Sequence, residues 1–200
     1  GDEKKQKKFE TGPSPKPGKP QLVVVVDCGT NSMELLNGKF FPEMNGVRAL
    51  VIDHHQLHDN EGRTSEIPLL NPWAFDKFAD SDLRGMCASG LIYLFALSLQ
   101  DSLARWNQPR ATILAGLASV ADVMPVLGTT RAIIKSSIRL AQTKHLKTIP
   151  GLYFLHKKLM EARDRDLPID ENIFGFHWGP CLNASGRIDR DCATASVEQL

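Results

Sequence analysis

The chain has 200 residues, of which 42% are hydrophobic and 24% charged, and this composition excludes a fibrous or wholly disordered chain. With 24 Lys or Arg against 23 Asp or Glu, the net charge is +1. No global positive field therefore favours nucleic acid or membrane, and any nucleic-acid site must be local. The four cysteines form no CxxC pair and are too scattered for a disulfide framework, which favours a reduced, intracellular compartment.

The first 20 residues differ in composition from the rest. They are rich in Lys, Gly and Pro and contain a single aromatic residue, Phe9. Such a segment buries too little apolar surface to offset its ordering entropy. We predict that residues 1–20 form a disordered basic tail or insertion and that residues 21–200 form the folded domain. No secretory signal is visible in them.

Two apolar runs predict strands. LVVVVD (residues 22–27) and VRALVID (residues 47–53) are β-branched and continuous, as in strands buried on both faces of a parallel sheet. A weaker third strand is predicted over residues 66–70, and a short helix near residues 33–36. Since two or three strands make a thin sheet, we expect further strands upstream or from a partner.

The second half is predicted to be mainly helical. The long apolar run at residues 85–99 is too short to span a membrane, so it indicates a buried helix. Residues 164–190 have little periodicity and are predicted to form a loop. The predicted helices cover residues 83–100, 110–123, 130–143 and 151–163, and a last one begins near Cys192. The fold class is therefore α/β, a partial parallel sheet flanked by helices with a helical C-terminal half.

Both predicted strands end in an aspartate, Asp27 in the first and Asp53 in the second. His54 and His55 directly follow Asp53. Ligands of open α/β sheets bind at that edge. Carboxylates with imidazoles suit a divalent cation, Mg²⁺ where oxygen dominates and Mn²⁺ where imidazole joins. Asp122 ends a predicted apolar helix, and its apolar neighbours suggest burial, so a nearby cation is expected to offset its charge.

A third cluster is GPCLNASGR (residues 179–187). Its glycines allow tight turns, while Asn183, Ser185 and Arg187 supply short donors and a guanidinium suited to a phosphate. Alone, such a cluster more often indicates a turn. Trp178, directly before it, is the best candidate among the tryptophans for stacking on a nucleobase.

These motifs together resemble the DHH phosphoesterase superfamily, and most closely its RecJ-like single-stranded-DNA exonucleases. VVVVDCGTNS is similar to the second family motif, VIDHHQ to the Asp-His-His motif, and SVADVMPVLG to the fourth motif. GPCLNASGR is similar to the RecJ element Gly-Pro-x-Leu-Asn-Ala-x-Gly-Arg. The motifs occur in the family's order between residues 22 and 200.

The resemblance implies metal-dependent phosphodiester hydrolysis of single-stranded DNA in replication, repair or recombination, with two Mn²⁺ or Mg²⁺ ions. It makes Asp27, His54 and Asp122 metal ligands. The resemblance also implies that His55 lies near the scissile phosphate and that Asp53 orients the histidines. Asn183 and Arg187 would then hold the substrate phosphate. Replication or repair proteins are expected partners, in the cytoplasm, nucleoid or nucleus.

The chain departs from the family pattern at three points. The first motif, Asp-x-Asp-Gly, has no match in residues 1–20; the C-terminal domain is absent; and Cys181 replaces an arginine. We therefore expect an internal piece of a longer protein. Two alternatives remain open: a phosphoesterase acting on short oligoribonucleotides or small nucleotides, and a non-catalytic scaffold that retained the fold.

Overall fold

The computed structural model describes residues 22–33, 48–58, 67–102, 106–164 and 166–188, with side chains described as far as residue 184. Several predictions lie outside these residues. They are the tail over residues 1–20, most of the short helix at residues 33–36, the beginning of the third strand, and the helix after Cys192.

The sheet has three parallel strands in the order β1-β2-β3. They are β1 (Leu22–Val26), β2 (Arg48–Ile52) and the short β3 (Leu69–Leu70). β1 pairs in register with β2, from Leu22 opposite Arg48 to Val26 opposite Ile52. A parallel sheet flanked by helices confirms the predicted fold class.

The strands differ in burial. In β2, Val51 and Ile52 are buried, and Ile52 packs in a cluster with Met86 and Leu91 of the helical layer. β1 was predicted to be buried on both faces, and that is wrong for the described residues, in which Leu22 is 60% exposed. The reason is position, because β1 is the outer strand of the described sheet and β2 the central one.

Four longer helices follow the sheet: α1 (Ala88–Ser98), α2 (Gln108–Ala121), α3 (Gly128–Ala141) and α4 (Pro150–Arg163). All four were predicted, with one difference at α1. Its expected first turn is a separate 3-10 turn, Asp82–Gly85, in which the Ser81 hydroxyl accepts from the Leu83 N–H. Met86 and Cys87 are extended, so the helix starts only at Ala88. No helix in the described parts of the chain is long and apolar enough to cross a membrane.

α2 and α3 form a closely packed antiparallel hairpin. Gly116 makes this possible, because a methyl group at that position would overlap the buried side chain of Ser137. The Ser137 hydroxyl donates to the Ile113 carbonyl across the two helices. The main core cluster lies between this hairpin, α4 and the C-terminal helical segment. The C-terminal end of α2 is thereby fixed beside the sheet.

The predicted loop over residues 164–190 is largely helical, so that prediction is wrong. Asp170 caps α5 (Glu171–Ile173), a π-helical segment covers Phe174–Trp178, and α6 (Gly179–Ile188) continues. Trp178 is fully buried and stacks on Phe174 with ring centres 5.1 Å apart. It therefore belongs to the core and is not available to a nucleobase.

Candidate metal centre

The loops that follow the three strands meet at the carboxyl edge of the sheet. The backbone N–H of Thr30, after β1, donates to Asp53 at 3.0 Å. Asn71, after β3, donates to the Thr30 hydroxyl and to the His55 carbonyl. Thr30, Asp53 and Asn71 are all buried. Strand ends that are distant in sequence are thus held together by a polar network with satisfied donors.

Asp53 is the centre of this network. Its Oδ1 accepts from the backbone N–H of His54 at 2.7 Å and lies 2.7 Å from Nδ1 of His55. Burial raises the pKa of Asp53, but hydrogen bonds from Thr30, His55 and His54 outweigh it and lower the pKa from 3.8 to about 2. The carboxylate therefore stays ionised and directs the following two histidines.

The His55 ring is oriented by this contact. A proton on Nδ1 donates to Asp53, which leaves Nε2 as the atom that can face a ligand. The hydrogen bond to Asp53 raises the pKa of His55 above 6.5; burial opposes that rise, and the charges of Asp53, Asp27 and Asp122 add to it. His55 thus carries more positive charge at neutral pH than a free imidazole in the metal-free protein.

Two carboxylates converge on His54. Its Nε2 lies 3.2 Å from Oδ1 of Asp27 and 3.5 Å from Oδ2 of Asp122. Asp27 occupies the left-handed region with φ 63°, which aspartate tolerates, immediately after β1. A ligand atom of His55 also lies within 4.8 Å of those of Asp27 and His54. The predicted metal ligands are therefore neighbours in space, although they come from three separate segments.

Asp122 is exposed, so its predicted burial is wrong. It ends α2, and the chain turns there because Val123 adopts a left-handed conformation with φ 54°. The Met124 N–H bonds back to the Ser119 carbonyl at 3.1 Å, which closes a Schellman-type helix end. This turn directs the following residues into solvent and leaves the Asp122 carboxylate open toward His54.

A cavity of about 220 Å³ opens beside these carboxylates. Asp27 and Asp122 line it together with Asn183 and with Ala88 and Ser89 of the first turn of α1. The Cys87 side chain at its N-cap makes no capping hydrogen bond, so among the described residues the N–H groups of that turn and the positive end of the helix can face an anion. The cavity thus combines carboxylates for a cation with donors for a phosphate.

Asn183 reaches this cavity because α6 lies close to the end of α2. A methyl group on Gly179 would come within 3.1 Å of the Ala121 side chain and 3.0 Å of the Phe174 carbonyl oxygen. The glycine was expected to permit a turn, but its place in α6 indicates that it permits close helix packing. Ser185 and Arg187 follow on the same helix, and their side chains lie outside the described residues.

The donor set fits a divalent cation. Carboxylate oxygens and an imidazole nitrogen around a solvent-open space are typical of Mn²⁺ and Mg²⁺ sites. Sequence reasoning did not single out Thr30 and Asn31. Asn31 joins the loops by donating to the Gln56 carbonyl and accepting from the His58 N–H. The only signal was their place directly after a strand-ending aspartate.

The comparisons with known proteins agree with this geometry. The single-stranded-DNA-specific exonuclease RecJ of Salmonella typhimurium is 29% identical over 182 residues, which cover 84% of this chain and 29% of that protein. RecJ of Escherichia coli is also 29% identical, and RecJ of Haemophilus influenzae 25% identical, with the same coverage. The predicted resemblance to RecJ is confirmed. No protein-family model matches the chain.

The fold comparison gives the same result. A crystal structure of exonuclease RecJ bound to manganese superposes with a TM-score of 0.64 at 22% identity, and the match covers 90% of this chain and 45% of that one. The RecJ-like fold is therefore established. The chain spans less than a third of the length of the curated RecJ proteins that it matches.

Proposed function

We propose that this chain carries part of the catalytic centre of a RecJ-like, metal-dependent exonuclease that degrades single-stranded DNA. The observation that supports this most directly is the convergence of Asp27 and Asp122 on His54 beside the cavity that Asn183 lines. Three segments bring these groups together at the sheet edge where α/β proteins bind ligands. The names of the relatives support single-stranded DNA as the substrate class.

We assign Asp27, His54 and Asp122 as metal ligands. A bound Mn²⁺ or Mg²⁺ would supply Lewis-acid stabilisation of the phosphate and lower the pKa of water, which provides a nucleophile at neutral pH. Manganese is supported by the manganese-bound RecJ structure with the same fold. Nε2 of His54 faces both carboxylates, so it is the ring nitrogen that would bind the ion together with them.

The other residues act on the phosphate. Asp53 fixes the His55 tautomer, so that Nε2 of His55 faces the site, and the raised pKa of His55 favours donation to a developing negative charge. Asn183 and the first turn of α1 supply neutral donors for non-bridging oxygens. We propose that Ser185 and Arg187 hold the same phosphate from α6. Replication or repair proteins inside the cell remain the proposed partners.

End-labelled oligonucleotides test the proposal on the full-length protein. Single-stranded DNA, single-stranded RNA and duplex DNA are incubated with Mn²⁺, with Mg²⁺ and with EDTA. We expect stepwise loss of nucleotides from single-stranded DNA, abolished by EDTA and reduced at least 100-fold by Asp122→Asn. The matched control is Asp80→Asn, which removes an exposed carboxylate from the turn after residues 76–78 and should retain activity.

Each contrary outcome identifies a different error. Preferential degradation of short RNA would show that the proposed substrate class is wrong and that the proposed metal centre is right. No degradation with either metal would favour a scaffold that has kept the fold. Equal activity of Asp122→Asn and Asp80→Asn would show that Asp122 is not a metal ligand.

A further inference from the structure

A long segment of this nearly neutral chain is entirely free of acidic residues. Between Met124 and Met160 the sequence contains no Asp or Glu but has seven Lys or Arg residues. The segment begins two residues after Asp122 and includes all of α3. Positive charge is therefore concentrated in the segment that follows Asp122 in the sequence, although the whole chain carries a net charge of only +1.

Three of these cations form a stripe along α3. Arg131, Lys135 and Arg139 are all exposed, and their spacing of four residues places them on one helix face. We call them the basic stripe. At 1.5 Å per residue they follow one another at about 6 Å intervals, so the stripe is about 12 Å long. It starts near the metal centre, because α3 begins six residues after Asp122 and runs antiparallel to α2.

An apolar groove adjoins the stripe. Val120, Met124, Ile134 and Ile138 line it with Arg131 and Lys135, and its volume is about 390 Å³. Val123, which also lines it, is 88% exposed and directly follows Asp122. Glu171 is the acidic residue among the lining groups. The groove thus starts at the end of α2 that carries Asp122, and it follows the stripe.

We propose that the basic stripe, beside this groove, binds the backbone of a nucleic-acid single strand as it extends away from the metal centre. The inference rests on the proposed function and adds a path for the strand. Regularly spaced cations match a polymer that carries one phosphate per residue. The groove lies at the end of α2 that carries Asp122, which favours the strand over an acidic peptide, since a peptide would have no reason to start beside a metal centre.

Binding measured without metal tests the stripe independently of catalysis. Fluorescence anisotropy of a labelled oligothymidine of about 12 nucleotides is recorded in EDTA over a range of salt concentrations, with the full-length protein. The test variant is Arg131→Gln with Lys135→Gln. The control is Arg48→Gln with Arg110→Gln, which neutralises exposed cations at the amino ends of β2 and α2.

The stripe variant should weaken binding at least 10-fold at low salt. It should also make the slope of log affinity against log salt shallower by about 1.4, since each lost phosphate contact changes the slope by about 0.7. The control should change neither.

Equal weakening by the two variants, or an unchanged salt slope, would overturn the proposal. Unchanged binding of the long strand by the stripe variant would also overturn the proposal and would favour an acidic peptide as the ligand of the groove. Because the assay contains no metal, a stripe effect combined with normal cleavage by Asp122→Asn would disprove the proposed catalytic centre and not the stripe.

Discussion

Replacing Asp53 by Asn tests the network that holds the strand ends together. Asp53 is 1% exposed and accepts hydrogen bonds from both sides, Thr30 on Oδ2 and His54 and His55 on Oδ1. An Asn side chain has nearly the same shape but only one acceptor oxygen. Whichever way it is placed, its NH₂ group faces a buried donor, and at least one hydrogen bond is lost.

The lost hydrogen bond and the lowered pKa of Asp53 both set the size of the effect. Leaving a buried donor unsatisfied costs about 1–3 kcal/mol. Independently, the fall of the Asp53 pKa from 3.8 to about 2 corresponds to about 2.5 kcal/mol, at about 1.4 kcal/mol per pKa unit. The group contributes this stability fully above pH 3.8 and loses it as the pH falls through 2. Asp53→Asn should therefore lower the free energy of unfolding at pH 7 by about 2–3 kcal/mol.

Urea unfolding in EDTA measures this directly, at pH 7 and at a series of values down to pH 2. The wild-type protein should lose stability below pH 4 more steeply than Asp53→Asn, so that the two curves converge in acid. Asp80→Asn, the same substitution at an exposed carboxylate, should stay within about 0.5 kcal/mol of the wild type. A constant difference between wild type and Asp53→Asn down to pH 2 would refute the ionised Asp53 network.

Three further predictions concern the same region. Val123→Gly should raise the free energy of unfolding by about 0.5–1 kcal/mol in thermal or urea unfolding. The reason is that a left-handed conformation costs a β-branched residue more than the extra chain entropy costs glycine. A loss of stability would contradict the strained turn. Gly116→Ala should destabilise by about 1–3 kcal/mol, since the new methyl group overlaps Ser137, and a neutral result would contradict the close α2–α3 packing. In EDTA, the stability that His55 contributes should be complete below pH 6.5 and should decline as the pH rises through the raised pKa of His55. This decline should be absent from His55→Gln in urea unfolding, and NMR titration of the ring measures the pKa itself.

The parts of the fold that the sequence could predict are those in which one local signal decides the structure. The β-branched runs before Asp27 and Asp53 predict parallel strands, and parallel strands bring the residues at their carboxyl ends together. The helices α2, α3 and α4 follow from apolar periodicity within a few residues of their actual bounds. The metal-ligand cluster is thus largely a consequence of strand ends and topology.

The C-terminal segment could not be predicted in the same way. Gly179 and Pro180 are usual helix-breaking signals, but both lie in α6. A π-helical segment precedes it and places Phe174 and Trp178 in the core. Packing against α2, which is not visible in the local sequence, therefore decides the structure.

The sequence also does not predict the exposure of Asp122. Its neighbours are apolar, which is typical of burial, but Val123 ends the helix in a left-handed conformation that valine rarely adopts. The chain then turns outward, and Val123 itself is exposed. We regard this strained turn as the local feature that leaves the Asp122 carboxylate accessible to a metal.

Direct measurement of Mn²⁺ binding tests the central claim most simply. Electron paramagnetic resonance titration counts free Mn²⁺ against the full-length protein, the His54→Ala variant and a His145→Ala control on the 3-10 turn at Lys144–Thr148. We predict that His54→Ala weakens the tightest site at least 10-fold and that His145→Ala leaves it unchanged. Equal affinity in all three proteins would contradict a metal centre built on Asp27, His54 and Asp122.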